Sequence, residues 1–207
     1  MSLDRELIVR TALALLDEVG LEKLSLRRLA KDLGAHPTAL YWHFANKQEL
    51  LDAMSRQIVD SELEEYPDDT WQDWLAHLAR TQWRAIRAHR DGALLMLAAR
   101  PTADYQIDYL DALIGRLTAA GLTNTDAARA FIAVSNYAVG AALSEQQGHE
   151  LGDEALDQLI LKGGDHPGVT GIVAAAQDPQ ATFERGLSWL IAGISAPTPA
   201  PGQDRAG

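Results

Sequence analysis

Between Ser25 and Lys47 the chain gathers side chains suited to an anionic, hydrogen-bonding surface: Arg27, Arg28, Lys31, Thr38, Tyr41, Trp42, His43 and Lys47. A guanidinium fork pairs bidentately with phosphate or with a guanine edge, and an ammonium group pairs with phosphate as a point charge. Pro37 and Ala39 add small apolar surface of the kind that meets a thymine methyl. No comparable concentration occurs elsewhere. The six histidines are scattered: His77 and His89 stand twelve apart, while His149 and His166 fall in a Gly-rich, acidic region. None has the four-residue helical spacing of a zinc site, and there is no cysteine, so no metal or cofactor is expected. A Gly-rich phosphate loop, a Gly-x-Ser-x-Gly elbow and a His-Glu-x-x-His pair are all missing. The acidic pairs Glu64-Glu65, Asp68-Asp69 and Asp153-Glu154 read as solvated loops or helix ends, so an enzyme is not expected.

The elements that must present the basic and aromatic cluster are legible from spacing. Leu26, Leu29, Ala30 and Leu33 recur at three- and four-residue intervals, one face of a helix. Gly34 follows where a left-handed residue ends a helix, and Pro37 sits where the next can begin. Leu40 and Phe44 give this second helix its inward face, leaving Thr38, Tyr41, Trp42 and His43 to point outward. Helix, short turn with Gly, helix is the pattern of a helix-turn-helix, whose second helix enters the DNA major groove. The alternative for Tyr41 and Trp42 is burial as core aromatics. Before the motif, Ile8, Ala12, Leu15, Leu16 and Val19 form a stripe on a helix from about Asp4, ended by Gly20. Such a helix buttresses the motif, although periodicity alone also fits any amphipathic core helix. After it, Asn46 and Glu49 make a capping-box pattern for a helix running to about Glu64.

Net charge, taken over the whole chain, opposes DNA binding. The chain of 207 residues carries −11, but residues 1–50 hold seven Lys/Arg and seven Asp/Glu, so the deficit lies entirely beyond them. A neutral reader with local basic groups, joined to an acidic body that repels DNA, fits this asymmetry. No signal peptide is evident, and the uncharged run Ala130–Leu143 is too short to span a bilayer, so a soluble, cytoplasmic protein is expected.

Beyond the break at Tyr66-Pro67-Asp68-Asp69, the body reads as helices over about 70–89, 103–119, 125–147, 169–177 and 180–194. A short apolar stretch, 93–99, precedes Arg100-Pro101; a short helix is expected over 155–161. With no strand pattern, the fold class is all-α. The domains are 1–46 (helix-turn-helix), 47–66 (connecting helix), 67–195 (body) and 196–207, a Pro/Ala tail expected to be disordered.

Residues 1–60 resemble the DNA-binding domain of the TetR family of bacterial repressors. The resemblance rests on LSLRRLAKDLG, on PTALYWHFANKQELLDAM, and above all on Leu40-Tyr41-Trp42-His43-Phe44 with Asn46-Lys47. The body is similar to the tetracycline-repressor type of C-terminal domain through Trp71-Gln72, His89-Arg90-Asp91-Gly92-Ala93, Ala99-Arg100-Pro101 and Gly121-Leu122. That resemblance implies a homodimer reading a palindromic operator, with Arg27, Pro37, Thr38, Ala39, Tyr41, Trp42, His43 and Lys47 at DNA-touching positions. His36 departs from the polar residues common at its position. The helices near 125–147 and 180–194 become candidates for the dimer bundle.

The resemblance also implies a small-molecule pocket, lined here by Leu63, Leu78, Gln82, Met96, Arg100, Leu113 and Asn136. Where tetracycline repressors place a histidine on a magnesium–drug chelate, this chain has Met96, and another ligand position falls on Ser144 or Glu145. Met and Leu are poor ligands for Mg²⁺, which wants oxygen. The expected effector is therefore larger and mostly apolar rather than Mg–tetracycline; the alternative is that these residues are simply packed core. A helical protein-binding adaptor is the rival reading of the whole, but it leaves the basic residues around Tyr41-Trp42-His43 unexplained.

Overall fold

The computed structural model describes residues 3–60, 70–100, 104–151, 158, 160–163 and 166–195, and every regular element among them is an α-helix. They are α1 (Arg5–Val19), α2 (Leu26–Asp32), α3 (Pro37–Tyr41), α4 (Lys47–Asp60), α5 (Trp71–Arg87), α6 (Gly92–Ala98), α7 (Asp104–Ala119), α8 (Asn124–Leu151), α9 (Pro167–Gln177) and α10 (Pro179–Ser195). Leu63, the Tyr66-Pro67 break, Pro101 and the tail from 196 lie outside the described residues, as does most of the helix expected over 155–161.

Helix starts follow side-chain caps. Asp4 accepts from Leu7 N–H (2.8 Å), Ser25 from Arg28 N–H (3.3 Å), and Thr70 from Asp73 N–H (3.1 Å). Each satisfies a donor that has no partner inside its helix. Asn46 caps α4, as its spacing from Glu49 predicts: its side-chain oxygen accepts from Glu49 N–H (2.9 Å). Glu49 in turn accepts from Ala45 N–H (2.9 Å), one residue upstream of the usual capping-box donor.

One expected boundary moves, and one unassigned stretch gains structure. α5 stops at Arg87 instead of near His89, because residues 89–91 form a corner used to hold α1. The apolar stretch after that corner is itself helical, as α6.

One continuous core runs through the described residues. In the N-terminal part, Ile8, Ala12 and Leu16 of α1 meet Leu26, Leu29, Leu40, Phe44, Leu50 and Met54, all buried. In the body, α8 packs against α5, α6, α7 and α10. Its buried residues Ala127, Ala130, Val134, Ala138 and Ala142 recur every three or four positions and are small, so neighbouring backbones can approach closely. The longer side chains come from the partners: Leu75, Leu78, Trp83 and Ile86 of α5, Leu113 and Leu117 of α7, and Phe183 and Leu187 of α10.

Candidate nucleic-acid interface and the body behind it

The turn between α2 and α3 is a Schellman closure. Ala35 N–H reaches the Ala30 carbonyl (2.9 Å) and Gly34 N–H the Lys31 carbonyl (3.1 Å), with Gly34 left-handed at φ 61°. Gly adopts that conformation without a Cβ penalty. α3 then starts at Pro37 with His36 as its cap. Leu40 and Phe44 are buried to the last few atoms and fix which way α3 faces.

With that face fixed, Thr38 is exposed, Tyr41 is 54% exposed and Trp42 is 90% exposed. Core aromatics they are not. His43, Pro37 and Ala39 are half-buried, and Arg27 is exposed. Ser25, Arg27, Arg28, Lys31, Asp32, Ala35 and Pro37 line an open recess beside α3. Lys47 is half-buried and donates to the Leu21 carbonyl oxygen (3.4 Å), one of three donors its ammonium carries. The recess brings Arg27 together with Pro37, and Thr38, Tyr41 and Trp42 are exposed on α3 and its C-terminal end.

Sequence reasoning missed the residue that braces this surface from behind. Arg5 donates to the His43 carbonyl oxygen (2.6 Å), pairs with Glu49 (3.0 Å) and lies 4.2 Å from the centroid of the Phe44 ring. It ties α1 to the end of α3 and the start of α4. The Ala45 N–H bond and the Arg5 charge hold the Glu49 carboxyl below its usual range.

Two further connections join this part to the body. The 89–91 corner grips the end of α1: Leu21 N–H donates to Asp91 Oδ2 (2.7 Å), Arg90 N–H to Asp17 Oδ1 (3.0 Å), and His89 Nδ1 lies 3.0 Å from Asp17. Asp91 is left-handed at φ 54°, and a Cβ on Gly20 would stand 2.8 Å from its carboxylate. From the other side Gln146 of α8 braces the same corner, donating to the His89 carbonyl (2.9 Å) and accepting from Ala93 N–H (3.1 Å). The second connection is at α4, where Asp52 accepts from Arg100 N–H (2.7 Å) and Gln48 donates to the Ala98 carbonyl (2.8 Å). No short-range signal marks these pairs, because the partners are about fifty to seventy residues apart in sequence.

Of the body residues expected to face a ligand, Leu78, Gln82 and Leu113 are buried, Met96 is half-buried, and Arg100 is exposed at the α4 contact. Asn136 does not join them: Val134 and Ala138 take the buried face of α8, which leaves Asn136 exposed. The interior holds polar atoms that the sequence did not announce. Gln82 Oε1, Trp83 Nε1 and Ser135 Oγ are buried with no hydrogen-bond partner among the described residues. A buried polar atom left so costs about 1–3 kcal/mol. Trp83 stacks on Phe183 (4.2 Å between centroids, 9° between planes), with the Arg87 guanidinium 4.2 Å from its ring. No group of three or more His, Asp or Glu among the described residues could hold a metal ion, and Met96 offers Mg²⁺ no oxygen.

On the outer faces of α8 and α10, Ile132 is 53% and Trp189 69% exposed. No helix is long and apolar enough to cross a membrane among the described residues.

The profile "Bacterial regulatory proteins, tetR family" matches residues 8–54, and "Tetracyclin repressor-like, C-terminal domain" matches residues 64–197. The class C tetracycline repressor of Escherichia coli is 39% identical over 199 residues, covering 93% of this chain and 90% of the relative. A possible TetR family transcriptional regulator from Streptomyces coelicolor superposes with a TM-score of 0.79 at 37% identity, covering 92% of this chain and 98% of that one. The class A TetR in complex with 5a,6-anhydrotetracycline and magnesium superposes with a TM-score of 0.70 at 34% identity, covering 93% and 98%.

Proposed function

The chain belongs to the TetR family of bacterial regulatory proteins, with a helix-turn-helix DNA-binding domain and a ligand-binding C-terminal domain, and from that membership we propose a specific working cycle. Two copies form a cytoplasmic homodimer, bind a palindromic operator in adjacent major grooves, and let go when a small, largely apolar effector enters the body. The boundaries are those of the sequence: 1–46 reads DNA, 47–66 connects, 67–195 binds ligand and dimerises, and 196–207 is a tail.

The observation that carries the DNA half is the exposure of Tyr41 and Trp42 beside a basic recess, on a helix whose other face is locked by Leu40 and Phe44. Large aromatics kept out of a core that had room for Phe44 are there for a partner. Arg27 reads a guanine edge or a phosphate, Thr38, Trp42 and His43 approach bases, Pro37 and Ala39 meet thymine methyls, and Tyr41 and Lys47 take phosphates.

For the effector half, Leu78, Gln82, Met96 and Leu113 with Leu63 and Arg100 supply a mostly apolar lining. The orphaned Gln82 Oε1 calls for a donor on the effector, and Trp83 Nε1 for an acceptor. The family's magnesium–drug chelate does not suit this lining, so the effector differs from Mg–tetracycline. Release runs through α4, which the body holds at Asp52 and Gln48: displacing α6 shifts α4 and changes the separation of the two α3 helices. Linkage requires the effector to bind the released form more tightly than the operator-bound form.

The test is fluorescence anisotropy of purified protein on DNA from beside its own coding region, across a salt series, then titration with apolar and tetracycline-type compounds. Salt-steep, sequence-selective binding that one compound reverses supports both halves. Absence of selective binding at every salt concentration would remove the DNA half and return the protein-adaptor reading.

A further inference from the structure

Residues 42–46 join α3 to α4 without a helix of their own, yet they carry Trp42 and His43. His43 N–H and Phe44 N–H both reach the Leu40 carbonyl (2.9 Å each), which anchors the near end of this link. Its far half is held by two charged side chains from outside it. Arg5 Nη1, on α1, donates to the His43 carbonyl (2.6 Å) and to Glu49 Oε1 (3.0 Å). Glu49, in the first turn of α4, accepts from Ala45 N–H (2.9 Å) with its other oxygen, Oε2. The contacts close a circuit: Arg5 to His43, along the chain to Ala45, across to Glu49 and back to Arg5. The Arg5 guanidinium also lies over the ring of Phe44, a fully buried side chain, so the circuit is seated on the core.

Stability does not account for this arrangement. Arg5 and Glu49 leave 46% and 40% of their side-chain surface exposed, and an ion pair so solvated adds little to folding. A phosphate contact does not account for it either, because Glu49 matches the Arg5 charge and Nη1 already serves two protein acceptors. What the circuit fixes is where Trp42 and His43 stand relative to Lys47. We infer that Arg5 and Glu49 are positioning residues of the DNA reader: they hold the base-facing Trp42 and His43 in register with the phosphate-facing Lys47, and so govern selectivity for the operator rather than attraction to DNA. The inference rests on the DNA-reading function proposed above. Phosphate contacts seat a protein on any duplex, whereas base edges discriminate only when side chains meet them in hydrogen-bonding geometry. Loosening the link therefore forfeits base contacts and leaves phosphate contacts in place. Lysine cannot replace Arg5 here, since an ammonium has no plane to lay over Phe44 while it bridges a carbonyl and a carboxylate.

The test uses the full-length chain and the operator that wild type enriches from a randomised duplex library. Selectivity is the affinity for that operator divided by the affinity for random duplex of equal length. Arg5→Lys, which keeps the charge, should lower selectivity about fivefold, and Glu49→Gln about as much. The double variant should fall within about twofold of either single one, since both act through one link. For Arg5→Lys, random-duplex binding and its salt slope should match wild type. Glu49→Gln separates positioning from charge by sign: removing an acid strengthens binding to operator and random duplex alike if only charge matters, whereas lost positioning lowers the ratio. If either variant keeps wild-type selectivity, or if the two losses multiply in the double variant, the inference is wrong while the reader stands. If wild type enriches no operator, the reader itself fails and the positioning role with it. Cooperative melting is expected of all three variants on the same preparations; an unfolded Arg5→Lys would assign the pair to folding instead.

Discussion

Single side chains separate reading from folding in the N-terminal domain. Trp42 is 90% exposed, so Trp42→Ala should leave thermal stability within about 0.5 kcal/mol of wild type yet weaken operator binding at least tenfold. Melting and anisotropy on one preparation measure both. Leu40, fully buried beneath it, should behave oppositely, with Leu40→Ala costing about 2–5 kcal/mol in denaturant unfolding. Glu49 adds a pH dependence. Its carboxyl is held below the usual range by the Ala45 N–H bond and by Arg5, so its contribution is present above the unfolded carboxyl pKa and lost as pH falls through the lower folded value. Glu49→Gln should thus be less stable than wild type at neutral pH, with the gap closing in acid. A gap that is constant from pH 7 to pH 3 would contradict this. Residue types alone pointed to Trp42 and Tyr41, and the burial of Leu40 and Phe44 turned that pattern into a direction. Arg5 was not legible, because nothing in an isolated Arg near the N-terminus shows that it will meet the carbonyl of His43, thirty-eight residues on.

Helices α1 to α4 could be read from spacing because their partners are close in sequence and each start carries a capping side chain. The body was read less well for a physical reason. Helix α8 is lined with Ala and Val on its buried face, so apolar residues do not mark one side clearly, and Asn136 was placed inward when it is exposed. Contacts between elements were beyond reach of periodicity altogether. The α4–body contact yields the prediction that belongs here. Asp52→Ala removes the acceptor for Arg100 N–H and for Gln48. The variant should bind effector and operator separately, each within about threefold of wild type, while the effector releases operator at least fivefold less effectively. That difference is the coupling free energy, read by titrating effector with and without operator. Undiminished release would show that the signal bypasses α4. Gly20→Ala probes the other contact: φ 78° and a Cβ 2.8 Å from Asp91 predict a loss of about 1–2 kcal/mol.

At the scale of the whole molecule, net charge is distributed unevenly along the chain. The acidic excess lies wholly outside residues 1–50, so only the reader's face tolerates DNA. Salt should weaken operator binding steeply through Arg27, Lys31 and their neighbours. Trp189, 69% exposed on α10, is the large apolar residue expected at the dimer seam. Trp189→Asp should shift sedimentation from dimer to monomer and abolish operator binding without unfolding the reader; a variant still dimeric in the ultracentrifuge would exclude that face. The grip of residues 89–91 on Asp17 and Leu21, braced behind by Gln146, bears on how freely such proteins can be recombined. A hybrid that takes residues 1–60 from one regulator and the body from another inherits half of this joint from each parent. Unless the donor brings an acid at 17 and a glycine at 20, the grafted reader would recognise its operator but deaf to the body's effector. Responsiveness of a hybrid would then depend on Asp17, Gly20 and Leu21 in the grafted part as well as on the α4 contact at Gln48 and Asp52, and a hybrid library would sort by these joints rather than by overall identity.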